Sequence, residues 1–213
     1  CGPHLADTRS PDMPTRSSAP RSLLTADSGA GRYLERDYWA VIRECRERPR
    51  ALMRAVRERF AEFAPAELAC FRRLSTNGPL ANGDELEVRI ASAGTFFVRV
   101  VHTDQQSLTL ATLEGHPEAG RITFGAYYNA RGDVIFHIRS RARSGSRFMY
   151  AGFLAAGEAM QTNTWTDFVT AVAHTFGSGV IGFIHAETRP APARPLAAPE
   201  DCSPTFLARG DDG

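Results

Sequence analysis

Between Leu86 and Ile138 the chain repeats with a period of two. Leu86, Val88 and Ile90 alternate with Glu85, Glu87 and Arg89; Phe96, Val98 and Val100 follow, and then the apolar segment Leu108–Leu113. Ile122, Phe124, Ala126 and Tyr128 alternate with Arg121, Thr123, Gly125 and Tyr127. Beyond the turn Asn129–Asp133 come Val134, Phe136 and Ile138, alternating with Ile135, His137 and Arg139. Such alternation sends one set of side chains to each face of a strand. The short connections predict a five-strand antiparallel meander with one buried face.

The flanking segments have other periods. Tyr38–Ile42 is aromatic and β-branched, which predicts a strand. Pro49 stands where a first helical turn tolerates it, and Leu52, Val56 and Phe60 follow at four-residue spacing, so 49–63 reads as an amphipathic helix. Pro65 opens a second short helix, Ala66–Leu74, which Ser75–Pro79 ends. After the meander, Met149, Phe153, Ala156 and Met160 make one helical stripe and Trp165, Phe168, Val169 and Val172 another. One long or broken helix over 147–175 accounts for both, with Thr164 and Asp167 resembling a cap within it. Val180–Ile184 fits a final strand and a short packed segment equally.

Composition divides the 213 residues into parts. Residues 1–31 are rich in Pro, Ser, Thr, Gly and Arg and read as a disordered leader; 189–213 form a Pro/Ala-rich tail, so the folded unit is 32–188. The first residue, Cys1, fits a lipidated bacterial N-terminus at a membrane surface and a truncated start equally; otherwise a cytoplasmic location is expected. No apolar run is long enough for a transmembrane helix. A net charge of +1 carries no footprint of nucleic-acid binding. All 25 basic residues are Arg. This excludes a Schiff-base lysine, a phosphate-loop lysine and a kinase-type lysine. Cys1, Cys45, Cys70 and Cys202 form no metal-ligand spacing, and no metal or cofactor is expected.

The order strand, two short helices, meander, long helix is an α+β arrangement. It resembles the helix-grip architecture of the START, polyketide-cyclase and birch-pollen-allergen (SRPBCC) superfamily. That resemblance implies a curved antiparallel sheet with the C-terminal helix across its concave face. Within that superfamily, Thr112–Gly120 (Thr-Leu-Glu-Gly-His-Pro-Glu-Ala-Gly), Phe124 and Asp133–Arg143 resemble an uncharacterised bacterial and plant domain family of unknown function. The superfamily generally binds hydrophobic or amphipathic small molecules and some members catalyse. No catalytic set carries over from this branch.

Several constellations invite chemistry. His116 with Glu118 and Glu114 pairs imidazole with carboxylates, but Gly115, Pro117 and Gly120 make the segment a turn that shapes backbone. His137, Arg139, Arg141 and Arg143 share the strand face away from the core, where a solvated row is the ordinary outcome. An acidic partner docked on that row is the interaction-domain alternative. His102 points inward at a strand end and is the candidate acid–base group, with a tyrosine, if the protein is a cyclase or hydrolase. Gly177–Gly182 spells a dinucleotide motif, yet a helix precedes it and no helix follows, so it reads as a helix stop. Arg131-Gly132-Asp133 reads as a hairpin turn.

The inward aromatic set leads to the principal expectation. Tyr38, Phe96, Phe124, Tyr128, Phe136, Met160 and Trp165, with Thr112 as an orienting polar point beside Tyr128 and Ser140, line a cavity between sheet and C-terminal helix. That cavity holds a hydrophobic small molecule or lipid without catalysis. Oligomeric state has no signature in the sequence.

Overall fold

The computed structural model describes residues 21–74, 78–91, 93–144 and 147–191, without the side chains of 147–160. β1 (Ala30–Ile42) leads through α1 (Pro49–Glu58) and α2 (Phe60–Phe63) to β2 (Ala69–Arg73). β3 (Glu85–Ile90), β4 (Gly94–Thr103), β5 (Ser107–Thr112), β6 (Glu118–Tyr128) and β7 (Val134–Ser144) form the expected meander. α3 (Arg147–Phe176) and β8 (Val180–Pro190) complete it. Among the described residues, one eight-stranded antiparallel sheet has the order β2-β3-β4-β5-β6-β7-β1-β8. The sheet is curved and α3 lies across it.

Pro49 occupies the first turn of α1, whose Leu52, Met53 and Val56 are fully buried against β5 and β6. The single helix expected over 49–63 breaks at Arg59, which has φ −123° and ψ 31°. That break turns Phe60 and Phe63 into the core. The second helix expected over 66–74 is instead a turn closed by Leu68 N–H to Pro65 C=O, followed by β2. Ala69 and Phe71 face inward, Cys70 and Arg72 outward, and Phe71 pairs with Val88. A sheet edge supplied by β3 outweighs weak helix propensity over five residues. Val180–Ile184 belongs to the strand β8, paired with β1. Contacts with the sheet begin before Arg32: Leu24 N–H donates to Thr112 C=O at 2.8 Å.

The Asn129–Asp133 link is a hairpin turn, with Asn129 Oδ1 accepting the N–H groups of Arg131 and Asp133 at 2.9 and 2.8 Å. The glycine run after α3 ends that helix: a Cβ on Gly177 would lie 2.3 Å from Arg43 C=O. Thr164, expected near a helix start, lies inside the continuous α3.

Two interiors result. On the helix side, Phe168 is fully buried and its ring centroid lies 5.2–6.3 Å from those of Phe60, Phe63, Phe124, Phe136 and Trp165. On the opposite face, the row read as solvated is buried: His137, Arg139 and Arg141 are 1%, 5% and 9% exposed. The cause is long-range register, because β1 sets Glu35 opposite Arg141 and Asp37 opposite Arg139. Arg139 and His137 bond to Asp37, Arg141 bonds to Glu35, and Arg189 of β8 reaches Glu35 at 2.6 Å and Asp37 at 3.2 Å. Tyr127 Oη lies 3.1 Å from His137 Nδ1. The row is thus an internal ion network rather than an open cationic surface.

Burial by itself raises the Asp37 and Glu35 carboxyls. Hydrogen bonds from His137 and Arg139 to Asp37, and from Arg189 and Arg141 to Glu35, hold both below their ordinary values of 3.8 and 4.5. Depressed carboxyls stabilise the fold fully above those ordinary values, and the contribution is lost as pH falls through the folded ones. Urea unfolding from neutral pH downward is therefore expected to show stability falling below about pH 4. Asp37→Asn flattens that fall and lowers stability at neutral pH by about 3 kcal/mol. In the same assay Phe168→Ala costs about 3–5 kcal/mol, the loss expected of a phenyl ring removed from a solid core.

Candidate functional site

The grip of α3 is uneven. Its C-terminal half presents Phe168, Val169, Val172, Ala173 and Phe176 and packs without gaps into the core. One turn earlier, Gln161, Thr164 and Trp165 border a hollow against the inner face of β2–β7. Its volume is about 820 Å³ with the open mouth and about 100 Å³ in the interior. A dry cavity of about 150 Å³ takes a benzene-sized guest; the interior here is smaller, so a guest with a ring extends through the mouth.

Most of the wall is apolar: Leu68, Phe71, Val88, Ile90, Val98, Leu110 and Ile122. The polar groups gather where β5 turns into β6. Thr112 Oγ1 accepts from Gly120 N–H at 3.0 Å and lies 3.1 Å from Leu24 C=O, so this hydroxyl clamps the two strands and the segment ahead of β1. Gly120 is required there, since a Cβ would lie 2.1 Å from Arg141 C=O. His116 Nδ1 lies 3.1 Å from both the N–H and the C=O of Glu118, so the ring is tied to that backbone through Nδ1. Its ring edge meets Phe96 at 5.5 Å.

Glu118 begins β6 and faces the cavity. Gln161 Nε2 donates to its Oε2, and Arg36 Nη1 of β1 lies 3.5 Å from its Oε1. Burial raises the Glu118 carboxyl despite the opposing pull of Arg36 and Gln161. Burial likewise lowers His116 to about 4, with the Glu118 backbone opposing. The cavity thus holds a neutral imidazole beside a carboxyl that keeps its proton to higher pH, one donor and one exchangeable proton in an apolar chamber.

Of the residues expected to line the cavity, Thr112 and Trp165 do so. Tyr38, Phe124 and Phe136 lie in the solid core, at most 1% exposed. Phe96 is half-buried behind His116, and Tyr128 is 52% exposed at the end of β6. The Met160 side chain lies outside the described residues. His102 sits 3.4 Å from Asp104, away from the cavity. Ser140 is part of the wall. Arg36 and Gln161 have no place in the sequence reading and Thr164 entered it only as a cap, although Arg36 shares strand parity with Tyr38, Ala40 and Ile42. A charge in phase with a buried stripe is the signal that marks it.

Among the described residues no helix is long and apolar enough to cross a membrane, and no three His, Cys, Asp or Glu side chains are grouped to hold a metal ion. A curved antiparallel sheet gripping its long C-terminal helix defines the class: this is a helix-grip α+β protein. The chain belongs to the domain family described as domain of unknown function DUF1990, which matches residues 32–171. Among solved structures it is similar to the KanY protein, at 8% identity over 69% of this chain and 99% of that one, TM-score 0.51. A hypothetical protein from Helicobacter pylori is 9% identical over 66% of this chain and 86% of that one, TM-score 0.50. A major latex-like protein from Panax ginseng is 10% identical over 68% and 99%, TM-score 0.49. Identities this low show the fold alone. No curated protein matches the sequence.

The His116 environment is directly measurable. Its Cε1–H resonance is expected to titrate with a midpoint of about 4, and Glu118→Gln leaves the ring neutral at pH 7. A midpoint at the ordinary imidazole value of about 6.5 contradicts the buried placement.

Proposed function

We propose that this domain binds a small hydrophobic or amphipathic molecule in the cavity between the sheet and the middle of α3, at Gln161–Trp165. One observation carries the reading: beyond the Phe168–Phe176 packing, Gln161, Thr164 and Trp165 of the closing helix border a hollow with apolar walls and polar groups at a single corner. Few convergent polar groups in a mainly apolar hollow is the usual form of a small-molecule site. The superfamily resemblance in Thr112–Gly120 supports the same reading. Apolar burial supplies the affinity, about 25 cal/mol per Å² of guest surface removed from water, and the corner supplies orientation.

A second reading has its own support. Glu118 and His116 face the cavity with shifted titration, so an acid–base reaction on a bound carbonyl compound has its proton donor in place. This moves the enzyme alternative from His102 to Glu118. Turnover dependent on Glu118, and lost in Glu118→Gln without loss of binding, separates the two readings.

The chain has two tryptophans. Trp39 stacks on His185, away from the cavity. In a Trp39→Phe background, fluorescence reports on Trp165 alone. Hydrocinnamyl alcohol, an uncharged ring on a short chain, is expected to shift that emission saturably. Val98→Phe fills the hollow, keeps or raises stability, and weakens binding at least about tenfold. A saturable shift that survives Val98→Phe unchanged places the probe elsewhere and removes the proposal.

A further inference from the structure

Resting on that binding reading, we infer that the molecule held in the cavity carries a carboxylate, seated in the corner formed by His116, Glu118 and Gln161, with Arg36 behind Glu118. Arg36 is 7% exposed and sits on β1 opposite Ser140, which lines the cavity. Its contact with Glu118 is 3.5 Å, long for a charge-assisted bond. Arg99 and Arg189 in the same protein meet their carboxylates at 2.6 Å. Arg36 Nε is buried with no hydrogen-bond partner, and so is Gln161 Oε1. His116 Nε2 has no hydrogen-bond partner among the described residues, since the ring's contacts run through Nδ1.

A buried guanidinium left this loosely compensated is costly. An arriving carboxylate removes the deficit. Its oxygens accept from the Glu118 proton and from His116 in the tautomer that carries its proton on Nε2, while Arg36 behind Glu118 balances the charge. An ammonium group would add a second cation beside Arg36, and an alcohol would leave Arg36 as it is. The alternatives are thereby ranked by charge before any fit of shape.

Proton linkage follows. Glu118 faces Arg36 from β1, His116 from the preceding turn and Gln161 from α3, and Arg121 borders the same cavity. A carboxylate beside Glu118 favours its protonated form, so binding takes up a proton and affinity rises as pH falls, until the guest itself protonates.

The test uses four probes on one hydrocarbon: hydrocinnamate, its methyl ester, hydrocinnamyl alcohol and the corresponding amine, titrated against the full chain by Trp165 fluorescence and calorimetry. Hydrocinnamate is expected to bind at least about tenfold tighter than the alcohol, and the amine weakest. Arg36→Met erases the carboxylate preference while alcohol binding persists, which also certifies that the variant folds; Arg36→Lys, the fallback if it does not, keeps part of the preference. Glu118→Gln retains the preference and flattens the pH profile. Equal binding of alcohol and carboxylate, tightest binding of the amine, or a preference that survives Arg36→Met overturns this inference and leaves the cavity reading standing. Failure of all four probes removes the cavity reading and the inference with it.

Discussion

A helix closes over a curved sheet only where its side chains are long enough to reach the strands. Here that reach is supplied by Phe168, which touches aromatic rings from α1–α2, β6 and β7 at once. Everything else in the interior follows from this anchor. Towards Phe176 the helix packs into the core cluster; towards Gln161 it meets the sheet through Trp165 on Phe71 and Phe124 and through Gln161 on Glu118, and a hollow remains between these contacts. Solid core and hollow are two consequences of one uneven closure.

The second organising element is β1, which lies between β7 and β8 and carries charge on both faces. Outward, Glu35 and Asp37 neutralise the arginines of β7 and Arg189 of β8. Inward, the intervening Arg36 lies behind the cavity wall, 3.5 Å from the Glu118 carboxyl. Three consecutive charged residues thus serve opposite purposes because pleating sends neighbours to opposite sides. The outer set is satisfied and rigid. The inner one is incomplete, and incompleteness at a cavity wall is what a bound molecule can correct.

The turn between β5 and β6 joins architecture to chemistry. The residues Thr112, His116, Glu118 and Gly120 hold their own backbone through short hydrogen bonds, and the same segment delivers an imidazole and a carboxyl to the hollow. A structural role and a functional one are not competitors here. Rigid backbone around His116 is what keeps its free nitrogen in one position, the condition for orienting a small guest.

Much of this was legible before any coordinates. Strict alternation from Leu86 to Ile138 specified five strands and their inner face, and the aromatic stripe of Trp165, Phe168 and Val172 specified a helix that must be covered. The sequence also brought His116 and Glu118 into view, but as a turn. It misread Ala69–Arg73 as helix, because five residues carry too little periodicity against the helical run before them, and the paired edge of β3 decided the matter. It took the His137–Arg143 row for a solvated surface, because the neutralising acids lie about a hundred residues earlier on a strand whose register no local pattern reveals. The approach of Arg36 and Gln161 to Glu118 was equally hidden. Local periodicity determines which face of an element is apolar, since that depends on neighbours in sequence. Which charges meet, and whether two apolar faces touch or stand apart, depends on curvature and register over the whole sheet, and only the folded chain sets those.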